Sequence, residues 1–145
     1  MKPFEQEFQV IWADLDPNAH LRHTAYNNYA AQVRAALFDH LGLPLAKFVA
    51  SGVGVILFHE DTTFKKEVLM NEKITVDCAA VGFRKDYKIW KFRHNIRKAN
   101  GDVACTILVT GAFMNLKERK VAPPPPEMIE VIKNVPLTED FEWLD

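Results

Sequence analysis

The sequence predicts an α+β protein in which one long helix lies on one face of an antiparallel sheet. Three features support this fold class: a strand-like segment at the start, a long segment of helical period after it, and four further strand-like segments joined by turns. The chain has 145 residues, of which 48% are hydrophobic and 26% charged. This length and composition predict one soluble domain, spanning residues 1–145.

The first strand is predicted from the alternation of apolar and polar residues in FEQEFQVIW. That period of two is typical of a strand and places it over about residues 4–13. The next segment, ADLDPNAHLRH, loses the alternation and is rich in Asp, Pro, Asn and His. It therefore predicts an ordered loop between the strand and the helix.

The long helix is predicted from apolar residues that recur at spacings of three and four between Tyr26 and Leu41. Thr24 is the expected N-cap, since its hydroxyl can accept a free backbone N–H. Gly42 and Pro44 are stop signals. The segment LAKFVA, just beyond them, predicts a short second helix.

The remaining strands are predicted over about residues 53–67, 72–83, 86–98 and 103–117. Asn100–Gly101 joins the last two and is a strong hairpin signal. One face of the strand at 86–98 carries Lys88, Trp90, Phe92, His94 and Ile96. The proline run at 123–126 ends the last strand because proline has no backbone N–H. EMIEVIKNV then predicts a short helix, and about 134–145 is expected to be a loosely held acidic tail.

Charge and cysteine content exclude several classes of protein. A formal net charge of −1 gives no overall basic field for nucleic acid. No segment is long and apolar enough to span a bilayer, and the first ten residues lack the apolar stretch of a signal peptide. Cys78 and Cys105 lie far apart in strand-like segments, so both are expected to be buried thiols. A cytoplasmic protein is the expectation that fits best.

The loop and helix start, DLDPNAHLRHTAY at residues 14–26, carry the most specific motif of the chain. This segment resembles the first signature of the hotdog thioesterases, and above all of the 4-hydroxybenzoyl-CoA thioesterase family. That signature is a first strand, D-x-D, a short loop, and a Tyr that opens the central helix. The resemblance extends over roughly residues 4–130. It implies a hotdog fold, in which a five-stranded antiparallel sheet wraps around one long central helix.

The same resemblance implies an acyl-CoA thioesterase, which converts a CoA thioester and water to free acid and CoA without a cofactor. Asp16, the second Asp of the motif, matches the catalytic carboxylate. His23 lies at the mouth of the helix, where a backbone N–H faces the thioester oxygen. Tyr26 matches an aromatic position in the first helical turn. Many relatives carry Gly where this chain has Ala19, which predicts a difference in loop shape.

A second segment, GFRKDY at residues 82–87, resembles the basic turn that contacts the CoA phosphates in some members of the family. Arg84 and Lys85 are therefore the expected CoA-binding residues, since a guanidinium and an ammonium both bind phosphate. The plain alternative is a solvated charged turn. Lys65 and Lys66 are expected to be solvated.

The residues by themselves leave alternatives open around the loop. A carboxylate can attack a thioester directly or activate water, and the helix N-terminus supplies N–H donors for the oxyanion. From its local sequence alone, Asp16 is better explained as shaping an Asp-Pro turn, and the resemblance is what favours catalysis. Asp14 is expected to be a structural partner of backbone N–H groups.

No metal site is predicted in this loop. The histidines at 20 and 23 form HxxH rather than HExxH, and a third strong ligand is not evident. Asp14, Asp16 and Asn18 mimic the start of an EF-hand loop, but the glycine and glutamate that such a loop requires are missing.

Two rival functions remain at this point: a hotdog hydratase or dehydratase of acyl thioesters, and a protein that binds acyl-CoA without hydrolysing it. His59 and Glu60 have no assigned position. Neither acyl-chain length nor aromatic preference can be predicted. A homodimer or homotetramer is expected, because a five-stranded sheet leaves exposed edges and relatives pair their sheets.

Overall fold

The computed structural model describes residues 2–145, and Met1 lies outside the described residues. The five predicted strands are all present and form a curled antiparallel sheet in the order β1-β3-β4-β5-β2. Their bounds are β1 Phe4–Gln9, β2 Val53–Phe64, β3 Lys73–Arg84, β4 Ile89–Lys98 and β5 Val103–Asn115. The α+β class is therefore confirmed.

Three helices accompany the sheet: α1 His23–His40, α2 Leu45–Ala50 and α3 Pro126–Ile132. With 18 residues, α1 is the longest, and it packs chiefly against β3. All three lie where the sequence predicts helices. The predicted N-cap is wrong, because Arg22 occupies that position and the Thr24 hydroxyl accepts a hydrogen bond from Arg22 Nε at 3.0 Å.

The first strand is shorter than predicted, and the chain turns away from the sheet after it. Beyond Gln9, the backbone N–H of Val10 donates to Glu72, and Trp12–Asp14 form a short 3₁₀ turn. Ile11 and Trp12 are apolar but 56% and 79% exposed, so the predicted strand has no buried face beyond Val10. The turn brings the chain to the loop before α1.

The structure corrects the expectation of a loose tail and adds two strands, β6 Lys120–Val121 and β7 Leu137–Leu144. β7 runs parallel to β3 and pairs with its last residues, from Ala80 to Arg84. That part of β3 is free, because β1 pairs with its first part, from Lys73 to Cys78.

Specific contacts hold β7 in place despite its acidic composition. Asp140 accepts two hydrogen bonds from the Arg93 guanidinium, at 3.0 and 2.7 Å. Phe141 packs on Phe83, with ring centroids 6.3 Å apart. Gly82 permits the close approach, since a methyl group there would lie 2.8 Å from the carbonyl oxygen of Glu142.

The core lies between α1 and the sheet. Cys78 and Cys105 are both buried and free, as predicted. Burial raises the pKa of the Cys78 thiol and raises that of Cys105 to about 11. Across residues 2–145, the helices are too short or too polar to traverse a bilayer.

Candidate functional site

The loop between β1 and α1 folds back on itself and presents Asp16 at its turn. Leu15 and Leu21 form a β-bridge, and the Asp16 N–H donates to the carbonyl of His20 at 2.8 Å. Ala19 has a φ of 62°, the left-handed conformation that glycine favours. The alanine therefore keeps the backbone shape that a glycine would supply, at some cost in strain.

The two carboxylate oxygens of Asp16 have different environments. Oδ1 accepts hydrogen bonds from the backbone N–H of Asn18 at 2.8 Å and of His20 at 3.2 Å. Oδ2 accepts no hydrogen bond from the part of the chain that the structure describes. One oxygen thus holds the turn, as the local sequence indicates, while the other is available to a ligand.

Asp16 lines an open cavity of about 330 Å³ beside the start of α1. His23, the first residue of α1, and Tyr26 line the same cavity, so the three site residues predicted from the motif lie together. The other charged or polar groups of its wall are His20, Lys65, Lys66 and Glu67. They make this cavity polar.

The first turn of α1 keeps its backbone donors free. Arg22, at the N-cap position, makes no side-chain cap, and the N–H groups of His23 and Thr24 donate to no acceptor within residues 2–145. Unpaired N–H groups at a helix N-terminus attract negative charge. This end of α1 can therefore bind a developing oxyanion.

Tyr26 forms the buried floor beneath this turn. Its side chain is 4% exposed and packs edge-on against Phe64 with ring centroids 5.2 Å apart. Burial raises the pKa of Tyr26 to about 12, and nearby negative charges, including that of Asp16, add to the effect. The phenol is neutral at physiological pH and remains a hydrogen-bond donor.

Asp14 does not line the cavity, and its carboxylate contacts side chains that hold the loop in place. Its carboxylate accepts a hydrogen bond from the Tyr29 hydroxyl at 2.9 Å and lies 3.4 Å from the Arg22 guanidinium. Burial and this hydrogen bond raise the pKa of Tyr29 to about 12. Asp14 thus fastens the loop to α1, although its partners are side chains and not the expected backbone N–H groups.

Arg84 and Lys85 lie far from Asp16 within one chain. The Asp16 loop meets the chain just before β3, where the Leu21 N–H donates to Val68. Arg84 ends β3, and a strand of this length extends over roughly 35 Å. The structure therefore does not bring the two predicted phosphate-binding residues to the cavity, and their role stays a prediction.

Lys65, Lys66 and Glu67 are the residues of the cavity that the sequence does not reveal as part of a site. Lys66 pairs with Asp102 at 2.7 Å, and Glu67 with His20 at 3.0 Å, whereas Lys65 makes no ion pair within the described chain. One signal was available: two lysines end a strand that follows the helix and runs back toward its start.

Glu60, on β2, contacts α1 close to the Asp16 cavity. Its carboxylate accepts a hydrogen bond from the Asn27 side chain at 2.7 Å. His59 is exposed on the same strand, at an irregularity in the pairing of β2 with β5. Neither residue lines the Asp16 cavity. Between residues 2 and 145, groups of three or more side chains suited to a metal ion are absent.

Comparison with known proteins gives a family match and a set of similar folds. The family model of the thioesterase-like superfamily matches residues 10–132. No curated protein matches the chain significantly in sequence. A hypothetical protein from Staphylococcus aureus, solved in complex with CoA, is 23% identical with a TM-score of 0.84, covering 94% of this chain and 88% of that one.

Two further structures of known activity are similar. A 1,4-dihydroxy-2-naphthoyl-CoA thioesterase from Synechocystis is 18% identical with a TM-score of 0.82, covering 92% of this chain and 97% of the other. A DHNA-CoA thioesterase from Staphylococcus aureus is 17% identical with a TM-score of 0.83, covering 92% and 90%. At these identities the likeness shows the fold, which is the hotdog fold that the motif implies.

Proposed function

The chain belongs to the thioesterase-like superfamily, and we propose that it is an acyl-CoA thioesterase that hydrolyses a CoA thioester to free acid and CoA. The proposal rests on one observation: a carboxylate with only one hydrogen-bonded oxygen lies beside backbone N–H groups of a helix start that donate to no acceptor within the described chain. Asp16 lines the cavity that His23, at the start of α1, also lines, and its Oδ2 accepts no hydrogen bond from residues 2–145. A nucleophile or base beside an oxyanion donor is the arrangement that acyl transfer requires.

In the proposed reaction the thioester carbonyl lies over the first turn of α1. Asp16 either attacks the carbonyl carbon through Oδ2 or takes a proton from the attacking water. The carbonyl oxygen gains negative charge, and the backbone N–H groups of His23 and Thr24 stabilise it. Collapse of the intermediate then breaks the carbon–sulfur bond, and the leaving CoA thiolate takes a proton from Asp16 where Asp16 acted as the base, or from solvent where Asp16 attacked directly. After direct attack the acyl group remains on Asp16 as an anhydride, which water hydrolyses to the free acid and the original carboxylate. Tyr26, beneath the turn, contacts the substrate.

Two pairs of cations are candidates for the CoA phosphates. Lys65 and Lys66 line the Asp16 cavity in the same chain, and Lys65 has no ion-pair partner among residues 2–145. Arg84 and Lys85, which the family motif favours, lie at the far end of β3. We propose that Arg84 and Lys85 serve the site of a neighbouring subunit.

We propose that the protein assembles as a homodimer or homotetramer with sites at the subunit boundary. β2 is an edge strand, and three of its apolar side chains, Val55, Leu57 and Phe58, are 45%, 46% and 56% exposed. A second copy would cover this apolar edge. Light scattering at micromolar concentration should give at least twice the monomer mass, and a monomer alone would contradict the assembly.

Release of free thiol from a panel of aliphatic and aromatic acyl-CoAs tests the central proposal. A thioesterase releases CoA stoichiometrically with the acid. A hydratase or dehydratase changes the acyl group but leaves the thioester intact. A binding protein gives saturable binding in calorimetry and no reaction. Absence of thiol release across the panel, with binding retained, would overturn hydrolysis.

A further inference from the structure

A second cavity lies further along α1, between α1, α2 and the sheet, with a volume of about 210 Å³. Its walls are largely aromatic: Phe38, Phe48, Trp90, Phe92 and Phe113 line it. An apolar cavity of about 150 Å³ holds a benzene molecule. This one therefore has room for a single substituted ring or a short aliphatic segment.

One cation, Arg34, lines this apolar cavity. Its Nη1 donates a hydrogen bond to Nε2 of His94 at 2.9 Å. Nδ1 of His94 in turn donates to the backbone carbonyl of Asp77 at 2.8 Å, which sets the tautomer and leaves Nε2 as the acceptor. The histidine is completely buried, so this chain of hydrogen bonds holds the guanidinium in a fixed position.

The charge of Arg34 has no counter-ion at contact distance. Burial, and next the Arg34 charge, lower the pKa of His94 to about 3, so its partner is neutral. No carboxylate of residues 2–145 lies within ion-pair distance of the Arg34 guanidinium. Glu60 acts on it from further away and is hydrogen-bonded to Asn27. A half-buried, unpaired cation in apolar surroundings is costly, and an anionic ligand would offset that cost.

The two cavities follow each other along α1, and β2 contributes a lining residue to each of them. Tyr26, in the first cavity, and Arg34, in the second, are eight residues apart on α1, or about 12 Å along its axis. Helical side chains lean toward the N-terminus, which brings the guanidinium nearer the first cavity. β2 passes the two cavities in the opposite direction along the chain: Val55 lines the second cavity and Phe64, later in the strand, lines the first.

We propose that the second cavity binds the distal end of the acyl group and that Arg34 selects acyl groups that end in a carboxylate. This inference rests on the proposed thioesterase function and names its substrate class. The aromatic walls bind the apolar part of the acyl group, while the guanidinium, fixed by His94, donates to the terminal carboxylate.

The test compares acyl-CoAs that have equal carbon number but end in a carboxylate or a methyl group. Adipoyl- and hexanoyl-CoA, suberoyl- and octanoyl-CoA, and sebacoyl- and decanoyl-CoA form three such pairs. The wild-type protein should favour the carboxylate member of at least one pair by about 10-fold or more in kcat/KM, since charge-assisted hydrogen bonds are strong. Arg34→Met should abolish this preference, and Arg34→Lys should keep part of it.

Lys47→Met is the matched control, because Lys47 is an exposed cation on α2 that lines neither cavity. It should leave the carboxylate preference unchanged. A purely structural role of Arg34 would lower the melting temperature of Arg34→Met without altering the ratio between the two members of a pair. The ratio therefore separates recognition from stability.

Binding of the same pairs to Asp16→Asn, measured by calorimetry, separates the two proposals. If no acyl-CoA is hydrolysed but the carboxylate member binds more tightly through Arg34, the thioesterase proposal fails and the cavity proposal stands. If hydrolysis proceeds and neither the wild-type protein nor Arg34→Met distinguishes the members of any pair, Arg34 selects nothing and the cavity proposal is overturned.

Discussion

The two cavities along α1 differ in how their walls are built. The cavity at the start of the helix is formed by the loop before α1, the first turn of α1 and the end of β2 with the residues after it, and is lined by charged groups such as Asp16, Lys65 and Glu67. The cavity further along is formed by helices and strands, and its walls are core aromatics with Arg34 as their cation. The first is suited to chemistry and the second to selecting a substrate.

The difference shows how one helix serves both purposes. The N-terminal turn of α1 exposes unpaired N–H groups, which is possible because neighbouring loops cover it only in part. The middle of the helix has its backbone bonds satisfied and contributes side chains alone. Changes at the first cavity should thus alter rate with little effect on folding, and changes at the second should alter stability and specificity.

The strongest test of this separation is Asp16→Asn. The amide can still accept the hydrogen bonds from Asn18 and His20, so the turn and the fold should survive. Loss of the negative charge and basicity should lower kcat by about 10²- to 10⁴-fold. Steady-state thiol release measures the rate, and thermal unfolding should show a melting temperature close to that of the wild-type protein.

Asp14→Asn is the matched control for this substitution. Asp14 lies two residues away in the same loop and contacts Tyr29 and Arg22 instead of the cavity. It should lose less activity than Asp16→Asn and more stability. A near wild-type rate for Asp16→Asn would refute the assigned mechanism, and Glu60 would be the next carboxylate to test.

The second test acts on the wall of the apolar cavity. Gly111 lies opposite Trp90 across β4 and β5, and a methyl group on it would collide with the Trp90 ring and the carbonyl oxygen of Ile56. Gly111→Ala should lower the free energy of unfolding by about 3 kcal/mol, as expected for overpacking a tight site. Urea unfolding measures the change.

Trp90→Phe, combined with Gly111→Ala, distinguishes the two collisions. The smaller ring should recover part of the lost stability, while the collision with the Ile56 backbone remains. Equal stability of Gly111→Ala and the wild-type protein would show that the wall can move, and the fixed aromatic cavity would then lose its support.

The sequence predicts residues of the first cavity but not the second cavity as a site. The reason is how far apart in the chain the lining residues of each cavity lie. Asp16, His23 and Tyr26 lie within one short segment, so a motif contains all of them. Lys65 reaches the same cavity only because β2 runs back along α1. Arg34 and His94 are 60 residues apart, and no local pattern shows that they meet.

The fold shows the same limit. The five strands of the main sheet follow from local alternation and turn signals. β7 pairs in parallel with β3 after a connection that includes α3, and such a pairing leaves little local trace. The aromatic residues Phe141 and Trp143 anchor it, but the surrounding acidic residues favour a solvated tail in a sequence analysis.

The third test uses the neutrality of His94. Its pKa of about 3 in the folded protein lies below the ordinary value near 6.5, so the unfolded chain binds more protons between these values. The contribution of neutral His94 to the free energy of unfolding is then fully present above about pH 6.5, and it is lost as the pH decreases toward 3. This one group should remove roughly 2 kcal/mol between pH 7 and pH 5.

His94→Gln is the comparison for that measurement, because an amide can accept from Arg34 and donate to the Asp77 carbonyl without titrating. Urea unfolding of both proteins at several pH values gives the difference in their free energies of unfolding. As the pH falls, the free energy of unfolding of the wild-type protein should decrease more than that of His94→Gln. Parallel pH profiles would mean that His94 is already protonated or exposed.

The smallest expected effect concerns substrate affinity at the first cavity. Lys65→Ala with Lys66→Ala removes two exposed cations that line the Asp16 cavity, and Arg84→Ala with Lys85→Ala removes the two at the far end of β3. Removing the pair that binds the CoA phosphates should raise KM by about 3- to 30-fold with little change in kcat, because phosphate contacts contribute equally in the ground and transition states.

Salt dependence decides which pair is responsible. Added salt should raise the wild-type KM more than that of the variant that has lost the phosphate contacts. If the lysine pair carries the effect, one chain holds both the carboxylate and the phosphate anchors. If the Arg84 pair carries it, the phosphates bind across a subunit boundary, since within one chain that pair lies at the end of β3 farther from the Asp16 loop. Unchanged KM and salt response in both variants would show that none of the four cations binds the CoA phosphates.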